Sequence, residues 1–195
     1  MRTILTRLDP SPYWGVVSFG IAGGLDPSLE PGDVLIGTAV SHGERRHCAQ
    51  NGLSAALTIN LKRRYLEVAT GAFAGSDRAV IRIEDKAALR ARTGAAAVDM
   101  ESHVVADWAA RHGLPFSILR VVSDPAHRAL PALAANALKP DGRIDMGRVM
   151  VGLARRPRQL SALADAGRDA RAAFAALGRC GGLLGPFLRF GFADL

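Results

Sequence analysis

Glu101 and Asp124 are two carboxylates that the sequence sets at the ends of apolar segments in VDMESHVVADWAARHGLPFSILRVVSDPA, residues 98–126. A brief strand, AAAVDM, delivers Met100 and Glu101 to the first turn of a helix. The apolar strand PFSILRVV delivers Ser123 and Asp124 at its carboxyl end. In open α/β sheets ligands bind outside the carboxyl ends of strands, so the two carboxylates are expected to converge on one ligand. Glu101, near a helix N-terminus, gains from the helix dipole and suits the acceptance of hydrogen bonds from hydroxyls such as those of a ribose. Asp124, behind an apolar strand, is expected to be desolvated. Its pKa would then lie above the reference of about 3.9, letting it protonate a leaving group. Each residue also has a plainer reading: a charge at a helix start, and a turn residue before Pro125.

A second stretch, SFGIAGGLDPSLEPGD at residues 18–33, concentrates glycines at Gly20, Gly23, Gly24 and Gly32. A dinucleotide fingerprint needs G-x-G-x-x-G between a strand and a helix. Here the order is G-x-x-G-G, and Pro27, Pro31 and Gly32 oppose a helix directly afterwards. No Gly-Lys-Ser/Thr is present, so a Walker A loop is excluded as well. Two readings remain: a tight turn between strands, or a loop whose bare backbone at Gly23 and Gly24 lets a flat ligand approach.

The elements that must position these residues follow from periodicity and breakers. YWGVVSFG reads as a strand ended by Gly20, DVLIGTAV as a second strand, residues 53–61 as a helix and YLEVATGAFA as a strand. IEDKAALRART reads as a helix that Gly94 stops. Residues 101–112 form a helix with Val104, Val105, Trp108 and Ala109 on one face and Gly113 after it. PFSILRVV, apolar except at Ser117 and Arg120, belongs in the middle of the sheet. A helix is expected over residues 147–153, and another from Leu160 with Leu163, Gly167, Ala170, Phe174 and Leu177 on its buried face. Strands alternating with helices point to an α/β layer with a mostly parallel or mixed central sheet. The 195 residues suit one domain, 1–195, with a helical segment from about 143.

Composition narrows the partners. No run approaches the roughly 18–20 apolar residues of a membrane span, and the N-terminus lacks the apolar core and cleavage site of a secretory signal, so the expected compartment is the cytoplasm. Cys48 and Cys180 are isolated thiols that suggest neither a disulfide framework nor a zinc site. The net charge of +7 is carried by scattered arginines, and 6% aromatic content offers no stacking platform, so nucleic acid is not an expected partner. Arg155, Arg156 and Arg158, followed by Leu183, Leu184, Phe187, Leu188, Phe190 and Phe192, suit peripheral contact with an anionic bilayer or capping of the core.

Together, GIAGGLDPSLEPGDVLIG and VDMESHVVADWAARHGLPFSILRVVSD resemble the nucleoside phosphorylase and nucleosidase superfamily. Its members carry a G-S/T-x-G-G/A loop, a V-x-M-E-x segment and a strand ending in S-D. The resemblance spans about residues 14–126. It looks closest to the branch of methylthioadenosine/S-adenosylhomocysteine nucleosidases and hopanoid-associated phosphorylase-like proteins. GSDRAV, residues 75–80, and LKPDGRIDMGRVMVGLARRPRQL favour the hopanoid-associated group, whose members are thought to remove adenine from adenosylhopane.

The resemblance implies a three-layer α/β/α fold with a central mixed sheet, cleavage of a ribosyl N-glycosidic bond through an oxocarbenium-like transition state, and a homo-oligomer. It implies no metal and no organic cofactor, since acid catalysis and positioning do the work. Asp124 would protonate or hydrogen-bond purine N7, and Ser123 would orient it. Glu101 would hold the ribose hydroxyls, Met100 would pack against the sugar, and Ala22 and Gly23 would pass close to it. The Ala79 and Val80 backbone would lie where the family grips the base, without the aromatic that often stacks there. Ile21 stands where many relatives have Ser or Thr, which favours water over phosphate as the nucleophile, with phosphate still an expected possible ligand. Only 19 residues precede Gly20, where the family has a complete β-α-β region. The expectation is a chain lacking that region: an adenine-releasing enzyme acting on a lipid-linked or other 5'-modified adenosine, or a noncatalytic remnant.

Overall fold

Alternation along the strand Phe116–Asp124 sets the architecture. Ile118, Arg120 and Val122 point to one face of the sheet and Leu119 and Val121 to the other, and all five are buried. A strand buried on both faces needs a helical layer on each side. In the computed structural model, which describes residues 2–63, 67–130 and 160–184, both layers are present.

In chain order the elements are α1 (Arg2–Leu5), β1 (Val16–Gly24), β2 (Val34–His42), β3 (Arg45–Cys48), α2 (Asn51–Lys62), β4 (Val68–Gly75), α3 (Ile83–Thr93), β5 (Ala97–Asp99), α4 (Ser102–Arg111), β6 (Phe116–Asp124) and α5 (Leu160–Leu184). The strand order is β3-β2-β4-β5-β1-β6. β2, β4 and β5 run parallel to one another, β1 runs parallel to β6, and β1 meets β5 antiparallel, so the sheet is mixed. It is not open: β6 also pairs antiparallel with β2 through Val34↔Val121, Leu35↔Arg120 and Ile36↔Leu119, which curls the sheet closed. α4 covers one face with Val104, Val105, Ala106, Trp108 and Ala109, packed on Leu35, Ile118 and Val122. α2 and α5 cover the other with Leu57, Leu61, Ala173, Ala176, Cys180 and Leu184, packed on Val34, Ile36, Leu119 and Val121. Among the described residues no helix is long and apolar enough to cross a membrane.

The helices stop where their sequences say they should. α3 ends at Gly94 in a left-handed conformation, φ 65°, and Gly113 at φ 66° follows α4. Several expectations need correction. β1 does not end at Gly20 but continues to Gly24, because its backbone pairs with β6 through Gly23, with a register shift at Ala22/Gly23. β3 has no counterpart in the sequence reading. Its residues, RRHC, are mostly exposed and polar, so it forms through backbone pairing with β2 around Gly43 rather than through an apolar pattern. On α5 the buried stripe is Ala173, Ala176, Cys180 and Leu184, one position round from the expected face, with Phe174 exposed. Small residues let that helix lie close against the sheet. The helix expected at 147–153, the boundary near 143, the arginines at 155, 156 and 158, and the tail beyond Leu184 lie outside the described residues.

Candidate functional site

β1 is the floor on which the candidate residues assemble, and its glycines make room for their side chains. A Cβ on Gly20 would fall 2.2 Å from Arg120 Nη1, and one on Gly23 would fall 3.1 Å from Asp124 Oδ2. Arg120 is buried and ion-paired and Asp124 is only 13% exposed, so neither side chain can retreat freely, and the bare backbone is what admits them. Gly20, Gly23 and Gly24 of the sequence reading are therefore strand glycines, of which Gly20 and Gly23 accommodate the protein's own charged groups, whereas Gly32, at φ 102°, lies in the turn before β2. Gly20 pairs with Arg120 and Gly23 with Asp124. Three residues of strand, about 10 Å, separate the two charged ends.

Asp124 is held from two sides. The Ser123 hydroxyl donates to Asp124 Oδ1 at 2.7 Å and also lies 3.2 Å from the Ala22 carbonyl oxygen. The ammonium of Lys86 donates to Asp124 Oδ2 at 2.5 Å. Asp124 is largely desolvated, as expected, but the sequence reading did not foresee its partner: the carboxylate, 13% exposed, faces a cation that is itself 1% exposed. Lys86 sits on α3, and the sequence reading of IEDKAALRART assigned it no role. The fold turns it inward, where it also donates to the carbonyls of Pro125 at 2.7 Å and Arg128 at 3.1 Å. Those two bonds fix the segment after β6 as well as the acid. Lys86→Met should lower stability by about 3 kcal/mol, the low end for a broken buried pair because Asp124 keeps a solvent-facing edge. A shift of the urea midpoint at unchanged slope would measure it.

At the other end Arg120 is the hub. Its guanidinium, 2% exposed, lies 3.0 Å from Asp99 Oδ2 and 3.3 Å from Glu101 Oε2, and donates to Ser18 Oγ at 2.7 Å. Ser102 Oγ bonds to both Ser18 Oγ and Asp99 Oδ2. The start of α4 is capped by Asp99 rather than by Glu101: Asp99 Oδ1 accepts from the backbone N–H of Glu101 at 2.8 Å and of Ser102 at 2.7 Å. Glu101 makes no side-chain cap and is 46% exposed, held on one oxygen by Arg120. Its remaining acceptor capacity faces outward beside Met100, which is also exposed. Sequence reasoning missed Asp99, Arg120 and Ser102. The one available signal was a charged residue within an otherwise apolar strand, and it was read only as an interruption.

The other expected site residues distribute as follows. Ala22 is buried in the core against α4, so only its backbone borders the site. Ile21 packs with Val17 and Phe19 toward α2 and α5, on the opposite face. Val80 packs beside Leu25, Ala74, Ala95 and Val98 and lines a cavity of about 430 Å³, and Ala79 next to it is exposed. The Leu130 N–H donates to the Ile81 carbonyl at 2.8 Å, tying the segment of Ala79 and Val80 to the one that follows Asp124. The cavity also holds His42, at the end of β2, and Asp77, just after β4. His42 stacks on His103 of α4 with ring centroids 4.2 Å apart. Burial and the neighbouring His42 push the His103 imidazole below its usual pKa. Of the two thiols Cys48 is exposed, and burial pushes that of Cys180 up.

A family model described as the phosphorylase superfamily matches residues 15–140. The chain belongs to this superfamily. Among solved structures it is similar to a 5'-methylthioadenosine/S-adenosylhomocysteine nucleosidase from Neisseria meningitidis in complex with methylthio-immucillin-A, at 27% identity over 64% of this chain and 61% of that one, TM-score 0.57. The corresponding enzyme from Colwellia psychrerythraea, in complex with adenine, matches at 24% identity over 63% and 59%, TM-score 0.57. Futalosine hydrolase of Helicobacter pylori matches at 22% identity over 63% and 62%, TM-score 0.58. The chain therefore spans about three fifths of the length of these relatives. A search of curated protein sequences returned no match.

Proposed function

We propose that this protein cleaves the N-glycosidic bond of a purine nucleoside, releasing adenine from a 5'-modified adenosine, with adenosylhopane the substrate suggested by GSDRAV at residues 75–80. The observation that carries the reading is the pairing of two oriented carboxylates along one glycine-lined strand: Asp124, gripped by Ser123 and Lys86, and Glu101, gripped by Arg120. Asp124, once it has taken up a proton in the substrate complex, donates it to purine N7, so that the electrons of the breaking C1'–N9 bond pass into a base better able to accept them. Glu101 accepts hydrogen bonds from the ribose hydroxyls, and its charge favours the cationic sugar of the transition state. Met100 packs against the sugar. Val80 and the backbone of Ala79 border the base, and the Ala22–Gly23 backbone borders the ribose. Ile21 presents no hydroxyl for phosphate, and its packing toward the opposite face supports water as the nucleophile.

The test is adenine release from adenosylhopane, methylthioadenosine and S-adenosylhomocysteine, each with and without phosphate. Release that is independent of phosphate is the expected result. Absence of release from all three would overturn the enzymatic reading and favour a noncatalytic member of the superfamily.

A further inference from the structure

His103 is the one described side chain whose buried polar atoms lack partners: neither Nδ1 nor Nε2 has a hydrogen bond, although the residue is 3% exposed. An imidazole placed so deep with no hydrogen bond, and only a long ion-pair contact to Asp77, is costly unless something satisfies it. The ring is admitted there by Gly75, where a Cβ would fall 2.6 Å from the His103 Cβ and 2.7 Å from Nδ1. Its Nε2 points to Asp77 Oδ1 at 3.5 Å, and His42 Nε2 lies 3.3 Å from Asp77 Oδ2. One ligand atom from each of the three residues can be chosen so that all lie within 4.8 Å of one another.

We propose that His42, Asp77 and His103 form a binding site for a divalent transition-metal ion of the zinc class, in the cavity that Val80 also lines and apart from the two carboxylates Asp124 and Glu101. Bonds of about 2.0–2.2 Å place tetrahedral ligands about 3.4 Å apart, and each histidine lies at about that distance from one carboxylate oxygen, His42 from Asp77 Oδ2 and His103 from Asp77 Oδ1, so a small rotation of the carboxylate brings one oxygen to both. Two imidazoles and one carboxylate suit Zn²⁺, Co²⁺ or Ni²⁺ and do not suit Mg²⁺ or Ca²⁺, which prefer all-oxygen shells. The three ligands come from the end of β2, the segment after β4 and the first turn of α4. An ion there ties the β2–β3 hairpin to the start of the helix that carries Ser102 beside Arg120. Isolated cysteines gave no hint of it, because the donors are imidazoles and a carboxylate far apart in the chain.

The experiment uses the untagged 195-residue chain, stripped with chelator and titrated with Co²⁺ and then Zn²⁺. One cobalt ion per chain is expected, with visible d–d absorption that zinc displaces, and a thermal midpoint that rises with zinc. His42→Asn and Asp77→Asn should each weaken binding about 10-fold or more, the scale that even an outer-shell partner reaches. His47→Gln and Cys48→Ser, outside the cluster, should bind as wild type. His42 and Asp77 are partly or largely exposed, so their variants carry the test even if His103→Gln does not fold. No saturable binding by the wild-type chain at millimolar zinc, or unchanged binding in the His42→Asn/Asp77→Asn double variant, overturns the proposal.

Discussion

Asp124→Asn should lower kcat for adenine release by about 10²–10⁴-fold, the range for loss of a general acid, while KM stays within a few fold. The asparagine keeps the shape of the side chain and can still accept from Ser123, so ground-state placement of the base changes little. What it cannot do is release a proton to N7 or balance charge on the base as the bond breaks. An interaction made only in the transition state appears in kcat and kcat/KM together. The substitution also removes the charge facing Lys86, whose ammonium retains the carbonyls of Pro125 and Arg128 as acceptors. Denaturation should accompany the kinetics, so that a folded, inactive variant is distinguished from an unfolded one. A folded variant whose kcat stays near wild type would remove Asp124 from the acid role.

Arg120→Met should destabilise the protein by about 3–5 kcal/mol, a large part of the 5–15 kcal/mol typical of a domain. Arg120 is buried, and its loss strands Asp99, 3% exposed, without its counter-charge. It also removes a donor from Ser18 and frees Glu101 from its one anchored oxygen. The double variant Asp99→Asn/Arg120→Met should recover much of the loss, because the stranded charge rather than the missing attraction accounts for most of it. Urea titration of both single variants and the double one would measure the coupling. Strictly additive losses would mean that Arg120 and Asp99 act independently, against the geometry of the hub.

The elements that carry the site were legible where a local pattern was strong. The helix with Val104, Val105, Trp108 and Ala109 on one face is α4, and the strand judged central is β6, paired on both edges. Gly94 and Gly113 stop their helices as read, since a left-handed stop is a property of a few adjacent residues. β3 was illegible for the complementary reason: it exists through pairing with β2 and carries no apolar period of its own. The face of α5 was misread because Phe174 outweighs alanine in any hydrophobic count, whereas close packing on the sheet favoured the alanines.

By itself the sequence determined the order of the strands and helices other than α1 and β3, the stops of α3 and α4, and the positions of Glu101 and Asp124 at element ends, because each depends on neighbours within a turn or two. It could not tell which charged residues face inward. Lys86 reaches Asp124 across 38 positions and Arg120 reaches Ser18 across 102, contacts that exist only once β1 and β6 lie side by side and α3 closes over them. Closure of the sheet through β2 and β6 is equally nonlocal. The tertiary structure alone decided the partners of the two carboxylates, since a buried charge takes its partner from whatever the fold brings within reach, not from the residues beside it in the chain.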